Sequence, residues 1–324
     1  MTTGGPRFVT FETKASIGRS HIADVCVVSS MSVLDELDYL PLGKRVRLHR
    51  LLYEHGPGNG RLLILPIDQG LEHGPVDFFP NPESIDPNFQ FRLAVEGGFS
   101  AIALHLGLAE KYARPFAGRV PIVLKTNGKT RIPPDTHALS AMTASVEDAV
   151  RIGADAIGYT LYVGSPNQHA DFMQFRRVKA DADRYGMPII LWAYPRGEAV
   201  ERKGGRDSLY AIDYAARVAC ELGADVVKLN VPVDDHKRRK DQPEPYTSLS
   251  LSLEERVRKV IESAGKTLVI FSGGHKIGDE ELFRRARVCM EQGAAGLIFG
   301  RNIWQRPWDE ALRVTEELKR IIMM

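Results

Sequence analysis

From residue 62 to the C-terminus the chain repeats one unit eight times: a short aliphatic or β-branched run, a loop, an amphipathic stretch of helical period and another apolar run. The apolar runs lie at 62–68, 101–107, 121–127, 156–164, 188–196, 225–232, 267–273 and 296–301. Between them, helical periodicity is clear at 168–185, 208–222, 252–264 and 279–292, with a last helix from Pro307 to the end. Several helices exit on a glycine suited to the left-handed conformation that closes a helix, as at Gly153, Gly223 and Gly293. The strands are almost continuously apolar, which requires cover on both faces, the condition of a parallel sheet sheathed in helices. Eight such units predict an α/β fold, a single TIM (β/α)8 barrel. The competing doubly wound sheet in its nucleotide-binding form places GxGxxG after the first strand. Here that turn reads DQGLEHG, residues 68–74.

The segment before the barrel divides in two. Residues 1–30 show no sustained period and read as a tail, with Met31 an alternative start. Residues 31–60 carry Leu34, Leu37 and Leu40, then Val46, Leu48, Leu51 and Leu52, interrupted by Pro41 and ended by GPGNG. This pattern predicts a helical cap on the N-terminal face of a barrel spanning 61–324.

Composition excludes several classes of function. Hydrophobic residues make up 44% of the 324 residues and charged residues 26%, so disorder, collagen and coiled coil are excluded. The 43 basic and 41 acidic residues leave a formal charge of +2, which implies no nucleic-acid partner. No apolar run approaches the ~20 residues of a membrane-spanning helix, so no membrane partner is expected either. Cys26, Cys220 and Cys289 form no CxxC pair, and no secretory signal is visible. A cytoplasmic location follows as the expectation.

In a barrel of this kind the reactive groups stand at the C-terminal strand ends. Lys228 lies in ADVVKLNVP, an apolar strand in which burial should lower its pKa and free it as a nucleophile toward carbonyls. A lysine snorkelling at the barrel mouth fits the same strand. Trp192, Tyr194 and Arg196 share one parity on the fifth strand, so that if they face inward a phenol sits beside the amine, placed for proton transfer. An aromatic layer of the barrel is the plainer alternative. Asp68 closes the first strand, either as a substrate-orienting carboxylate or as a loop cap. Lys125 and Asn127 end the third strand, without an assigned role. Ser272, Gly273 and Gly274 on the seventh strand and Gly300 and Arg301 on the eighth form two small-residue turns suited to binding a phosphate. His73, His105 and His275 could face the same mouth and hold a divalent metal, though without HxH or HxxxH spacing. The basic run from Lys237 to Lys240 reads as a solvated loop.

The ordered set LPIDQGLEHGP, LWAYPRG, DVVKLN, SGG and GRN resembles the archaeal-type class I fructose-bisphosphate aldolases of the Schiff-base aldolase superfamily, over residues 62–310. The resemblance implies reversible cleavage of fructose 1,6-bisphosphate to dihydroxyacetone phosphate and glyceraldehyde 3-phosphate, an aldehyde-lyase step of glycolysis and gluconeogenesis. It implies Lys228 as the Schiff-base lysine, Tyr194 as proton donor and acceptor, and Trp192 and Asp68 as supporting residues. Ser272, Gly273, Gly274, Gly300 and Arg301 match phosphate positions, and Arg196 is placed to meet a second phosphate. No metal and no separate cofactor are implied. A homo-oligomer is, since the family often forms decamers of stacked pentameric rings. Related barrels that share the lysine act as a synthase of an amino-dideoxy-heptulosonate or as a coenzyme A-dependent thiolase. A phosphate-binding barrel without catalysis is the remaining alternative.

Overall fold

Eight short apolar strands can satisfy their edges only by closing on one another, and the computed structural model shows that closure. It describes residues 32–274 and 276–324. The strands are β1 (Leu62–Pro66), β2 (Ala101–His105), β3 (Ile122–Lys125), β4 (Ala156–Val163), β5 (Ile189–Pro195), β6 (Val226–Asn230), β7 (Leu268–Ser272) and β8 (Gly296–Ile298). Each is hydrogen-bonded in parallel to the next, and β8 returns to β1 through Leu62↔Gly296.

The strand-to-strand connections carry α3 (Pro87–Glu96), α4 (Leu106–Tyr112), α5 (Val146–Arg151), α6 (Gln168–Arg184), α7 (Leu209–Glu221), α8 (Leu253–Ser263) and α9 (Asp279–Glu291), with α10 (Trp308–Met323) after β8; the cap holds α1 (Val33–Glu36) and α2 (Leu42–His49). Local chemistry starts the helices where the sequence signals them. Ser208 accepts from the amide of Ala211, and Ser252 forms a reciprocal capping box with Glu255.

The strand alternation separates two cores. Leu63, Leu65, Ile102, Leu104, Leu124 and Ile157 point outward and pack with helix residues such as Leu93, Phe175 and Ala215. The opposite parity, with Leu62, Ile64, Ala101, Val123, Ile190, Val226 and Ile270, fills the barrel interior together with Leu34, Leu37, Leu48, Leu51 and Leu52 of the cap. Lys44 of α2 is almost fully buried and donates to both carboxylate oxygens of Asp225, at 3.1 and 2.8 Å, at the entry to β6. The cap therefore covers the N-terminal end, and among the described residues the polar strand ends line a cavity at the opposite, C-terminal end.

All eight strands end one to three residues before the expected limit, and at two of them the chain takes up other structure. The third strand was expected to run to Asn127, but Asn127–Gly128 leaves the barrel and pairs antiparallel with Ala141–Met142. The Asn127 side chain instead bridges to β4, with Nδ2 donating to the Thr160 carbonyl at 2.8 Å and Oδ1 accepting from the Thr160 amide at 2.7 Å. The eighth strand was expected to reach Arg301. It stops at Ile298, and Arg301 opens a helical turn, Arg301–Trp304, after Gly300. The expected tail at 1–30 lies outside the described residues.

Candidate active site

The parity that puts Leu62 and Ile64 inside also turns Asp68, Lys125, Thr160, Trp192, Tyr194, Arg196, Lys228, Asn230 and Ser272 toward the barrel axis at its open end. They surround a cavity of about 340 Å³ whose lining includes Asp68, Glu72, Tyr194, Arg196, Lys228, Ser272, Gly273, Gly274, Gly300 and Arg301. Every site residue expected from the sequence borders this cavity except Trp192. That indole is fully buried and packs in the interior core beside the cavity residues.

Trp192 lies directly opposite Lys228 in the β5–β6 ladder. Its ring is shared by two amines: Lys125 Nζ stands 4.7 Å and Lys228 Nζ 5.4 Å from the ring centroid. The two lysines have opposite electrostatics. Lys125 Nζ donates to Glu72 Oε1 at 2.7 Å, Thr160 Oγ1 at 2.8 Å and Asp68 Oδ2 at 3.1 Å. Burial would discharge it, but Glu72 and Asp68 outweigh burial and raise its pKa above the ordinary lysine value. Lys228 makes no carboxylate ion pair among the described residues, and its Nζ donates to Tyr194 Oη. Burial therefore dominates and lowers its pKa to about 8, with the Lys125 and Arg301 charges adding to the fall against Asp68 and Glu72. One amine is fixed as a cation and its neighbour is easily deprotonated.

The phenol responds in the opposite direction. Burial, then the negative charges of Glu72 and Asp68, push Tyr194 well above its ordinary pKa, so the resting group is a protonated hydroxyl beside the amine. Asp68 is not a loop cap, since its side chain makes no capping bond. Burial alone would raise its carboxyl, yet the Lys125 charge, with Lys228, holds it below its ordinary value and keeps it ionised.

The turns after β7 and β8 meet on one side of the amine. Arg301 Nη2 donates to the Gly274 carbonyl at 3.0 Å, joining the two turns, while Ser272 Oγ donates to Asn230 Oδ1 at 2.7 Å. A side chain at Gly273 would place its Cβ 2.6 Å from Asn302 Nδ2, and one at Gly300 would sit 2.7 Å from the Pro66 carbonyl. Gly300 is required by the close approach of the Pro66 backbone, and Gly273 by the Asn302 side chain packed against it. Across the barrel, Arg196 stacks 5.1 Å above the Tyr194 ring and donates to Asp135 at 3.0 Å, and Lys129 also meets Asp135, at 2.9 Å. Cations therefore stand on both sides of Lys228.

Glu72 and the role of Lys125 escaped the sequence reading. A signal existed for both: Glu72 follows Asp68 by one helical turn, and Lys125 ends an apolar strand much as Lys228 does. The proposed histidine cluster does not form among the described residues. His73 is bound to Asp77 at 2.7 Å, His105 lies in the wall of the barrel, and His275 is outside the described residues. No three His, Cys, Asp or Glu side chains among the described residues are grouped to hold a metal ion. Around the Lys237–Lys240 run, Arg238 pairs with Glu201 and Arg239 with Asp234.

Two predictions arise from this geometry. Gly158 on β4 lies against Lys125 and Trp192, where an added Cβ would be 2.8 Å from both Lys125 Cδ and Trp192 Cζ3. Lys125 cannot swing away because three partners hold its amine. Gly158→Ala is expected to cost about 1–3 kcal/mol in a denaturation experiment and to lower turnover sharply. Turnover that depends on the free Lys228 amine should rise with pH through about 8 and then level off, because the ammonium form predominates below that value. A rate flat between pH 6 and 9 would contradict this.

A barrel with a buried, readily deprotonated amine, a paired phenol and glycine-rich turns at β7 and β8 is an enzyme scaffold of the lysine-dependent kind. Residues 62–306 match the DeoC/LacD family aldolase profile, and the chain belongs to that family. It is 38% identical to the fructose-bisphosphate aldolase class 1 of Thermoproteus tenax over 264 residues, 81% of this chain and 90% of that one. The enzyme of the same name from Halobacterium salinarum is 35% identical over 251 residues, 76% of this chain and 86% of the other. A solved archaeal fructose-1,6-bisphosphate aldolase, with its catalytic Lys covalently bound to the carbinolamine intermediate of the substrate, superposes with a TM-score of 0.72 at 34% identity, covering 86% of this chain and all of that one. Among the described residues no helix is long and apolar enough to cross a membrane.

Proposed function

We propose that this chain is a class I fructose-bisphosphate aldolase that cleaves fructose 1,6-bisphosphate through a Schiff base on Lys228, with no metal and no separate cofactor. The observation that carries the reading is the Lys228–Tyr194 pair: an amine with a pKa lowered to about 8 bonded to a phenol that burial keeps protonated. The name and covalent lysine intermediate of the relatives support the same chemistry.

The Lys228 amine adds to the C2 carbonyl, and Tyr194 gives its proton to the departing hydroxyl, which leaves as water. The phenolate so formed stands beside the new iminium cation, whose charge stabilises it. It then takes the proton of the C4 hydroxyl as the C3–C4 bond breaks, releasing glyceraldehyde 3-phosphate and leaving an enamine. Tyr194 returns that proton to C3, and water hydrolyses the iminium to free dihydroxyacetone phosphate. The same proton thus serves both half-reactions. Trp192 shields the imine side of the cavity from water, and Asp68, held ionised by Lys125, stabilises the iminium from across the mouth.

In this reading Ser272, Gly273, Gly274, Gly300 and Arg301 hold one phosphate, while Arg196 with Lys129 meets the other. Residues 61–324 form the catalytic unit and 31–60 its cap. The homo-oligomer, a decamer in the family pattern, is supported by the exposed apolar stripe of Tyr39, Leu42 and Val46 on that cap. A cytoplasmic setting is supported by the unpaired thiols of Cys220 and Cys289.

The test is cleavage of fructose 1,6-bisphosphate in the presence of EDTA, compared between the wild type and Arg301→Ala. We expect undiminished wild-type turnover and a KM raised about 10- to 100-fold in the variant, from loss of a charge-assisted phosphate contact. Turnover abolished by EDTA, or a KM unchanged in the variant, would refute the assignment.

A further inference from the structure

A second cavity, of about 440 Å³, lies behind the first on the far side of Asp68, which lines both. It is formed by the end of β2, the start of α4, the segment from Ile67 to Ile85, and α3. Its wall is apolar at Ile67, Leu71, Phe78, Ile85, Leu106 and Leu108. Two buried polar side chains in that wall carry atoms without a hydrogen-bond partner. His105 is 8% exposed and neither ring nitrogen is hydrogen-bonded, and Gln90 is 2% exposed with Oε1 unbonded, its Nε2 being spent on the Ser84 carbonyl at 2.5 Å. Buried polar atoms are almost always paired, because an unpaired one costs about 1–3 kcal/mol. Two in one apolar cavity mark a place built to receive hydrogen bonds from elsewhere. None of the aldol steps above uses His105, Gln90 or this cavity.

The surroundings restrict the chemistry of the occupant. His105 is neutral: burial, then the Lys125 charge, lowers its pKa against the opposing pull of Asp68 and Glu72. It therefore offers one N–H donor and one acceptor, and the Gln90 oxygen is a further acceptor. The group that enters to meet them is an uncharged hydroxyl, since an anion there would face ionised Asp68. The six apolar side chains take a compact hydrocarbon or aromatic body. At the exposed rim stands Lys111, which makes no ion pair among the described residues, so a carboxylate is matched there.

We propose that this cavity is an accessory binding site, separate from the aldol centre, for a small carboxylic acid with an apolar body and a distal hydroxyl. It takes its ligand end-on, hydroxyl inward to His105 and Gln90 and carboxylate outward to Lys111. The proposal goes beyond the aldolase reading and does not depend on which sugar phosphate the barrel cleaves.

The experiment is ligand-observed NMR on the full chain with 3-(4-hydroxyphenyl)propionate as the probe and 3-phenylpropionate as the hydroxyl-free control. Two variants lie at the surface of the cavity, Ile85→Trp, which places an indole in its mouth, and Lys111→Glu, which reverses the rim charge. We expect saturable binding of the probe, weakened about tenfold when the hydroxyl is absent. Binding should be lost in Ile85→Trp, weakened about tenfold in Lys111→Glu, and unaffected by saturating dihydroxyacetone phosphate. Both variants should retain cleavage activity, which shows that they fold. Failure of the probe to saturate at millimolar concentration, binding unchanged in Ile85→Trp, or displacement by dihydroxyacetone phosphate would each overturn the proposal. Because probe binding is read directly, failure of the aldolase reading would appear separately, as absent cleavage with probe binding intact.

Discussion

Replacing Lys228 with alanine is expected to reduce cleavage of fructose 1,6-bisphosphate by more than about 10⁴-fold while the protein stays folded, because the variant has no second nucleophile to recruit. Lys125 is the nearest rival, and its amine is disqualified by its surroundings: Glu72, Asp68 and Thr160 take its hydrogens, and the two carboxylates keep it charged. The fold should tolerate the change. Lys228 makes no ion pair among the described residues, so its removal strands no buried carboxylate, and the effect on stability should stay within about 2 kcal/mol. Lys228→Met retains the stem against Trp192 and separates loss of packing from loss of chemistry. Steady-state assays together with thermal denaturation measure both quantities. Turnover near the wild-type rate in either variant would remove Lys228 from the mechanism.

Tyr194→Phe is expected to give the next largest effect, a fall in kcat of about 10²- to 10⁴-fold, the usual range for loss of a positioned acid–base group. The ring remains, and with it the stacking of Arg196 at 5.1 Å, so the substitution removes one oxygen and little else. Its signature is a separation of two steps. A ketose phosphate should still form an adduct with Lys228, slowly, while C–C cleavage and enamine protonation fall further, because those steps need the proton that Tyr194 carries. Single-turnover trapping against steady-state rate makes the comparison. Equal losses in both steps would assign Tyr194 a purely structural role, and no loss would shift the proton transfers to Asp68.

The eight strands and the helices after 168 were legible because each obeys a local rule: β-branched runs of strand length, helical periods opened by Ser208 or Ser252, and glycine exits. Parity carried the site equally far. Once the barrel is recognised, Lys228, Trp192 and Tyr194 must share an interior, and the structure brings them together. What resisted reading depends on contacts across the barrel. Lys125 and Lys228 sit on strands that are not neighbours and meet only because both reach the Trp192 ring of a third. Carboxylates hold the first amine as a cation while burial lowers the pKa of the second, a contrast that no one-dimensional pattern shows. Glu72 gains its role only when the turn after β1 folds it back onto β3. Gly158 would pass for an ordinary strand glycine until the side chains above it are in place. The strand ends at Asn127 and Ile298 were displaced for a related reason, since side-chain bonds to a neighbouring strand and a helical turn that opens at Arg301 took over where the apolar run continued.

The most direct test of the central claim is borohydride trapping of the wild-type chain with dihydroxyacetone phosphate in the presence of EDTA, followed by peptide mass analysis. A stable adduct on Lys228, formed more readily as pH rises through about 8, is the expected result. An adduct on Lys125, or no adduct together with cleavage activity that EDTA abolishes, would contradict the Schiff-base mechanism set out for this barrel.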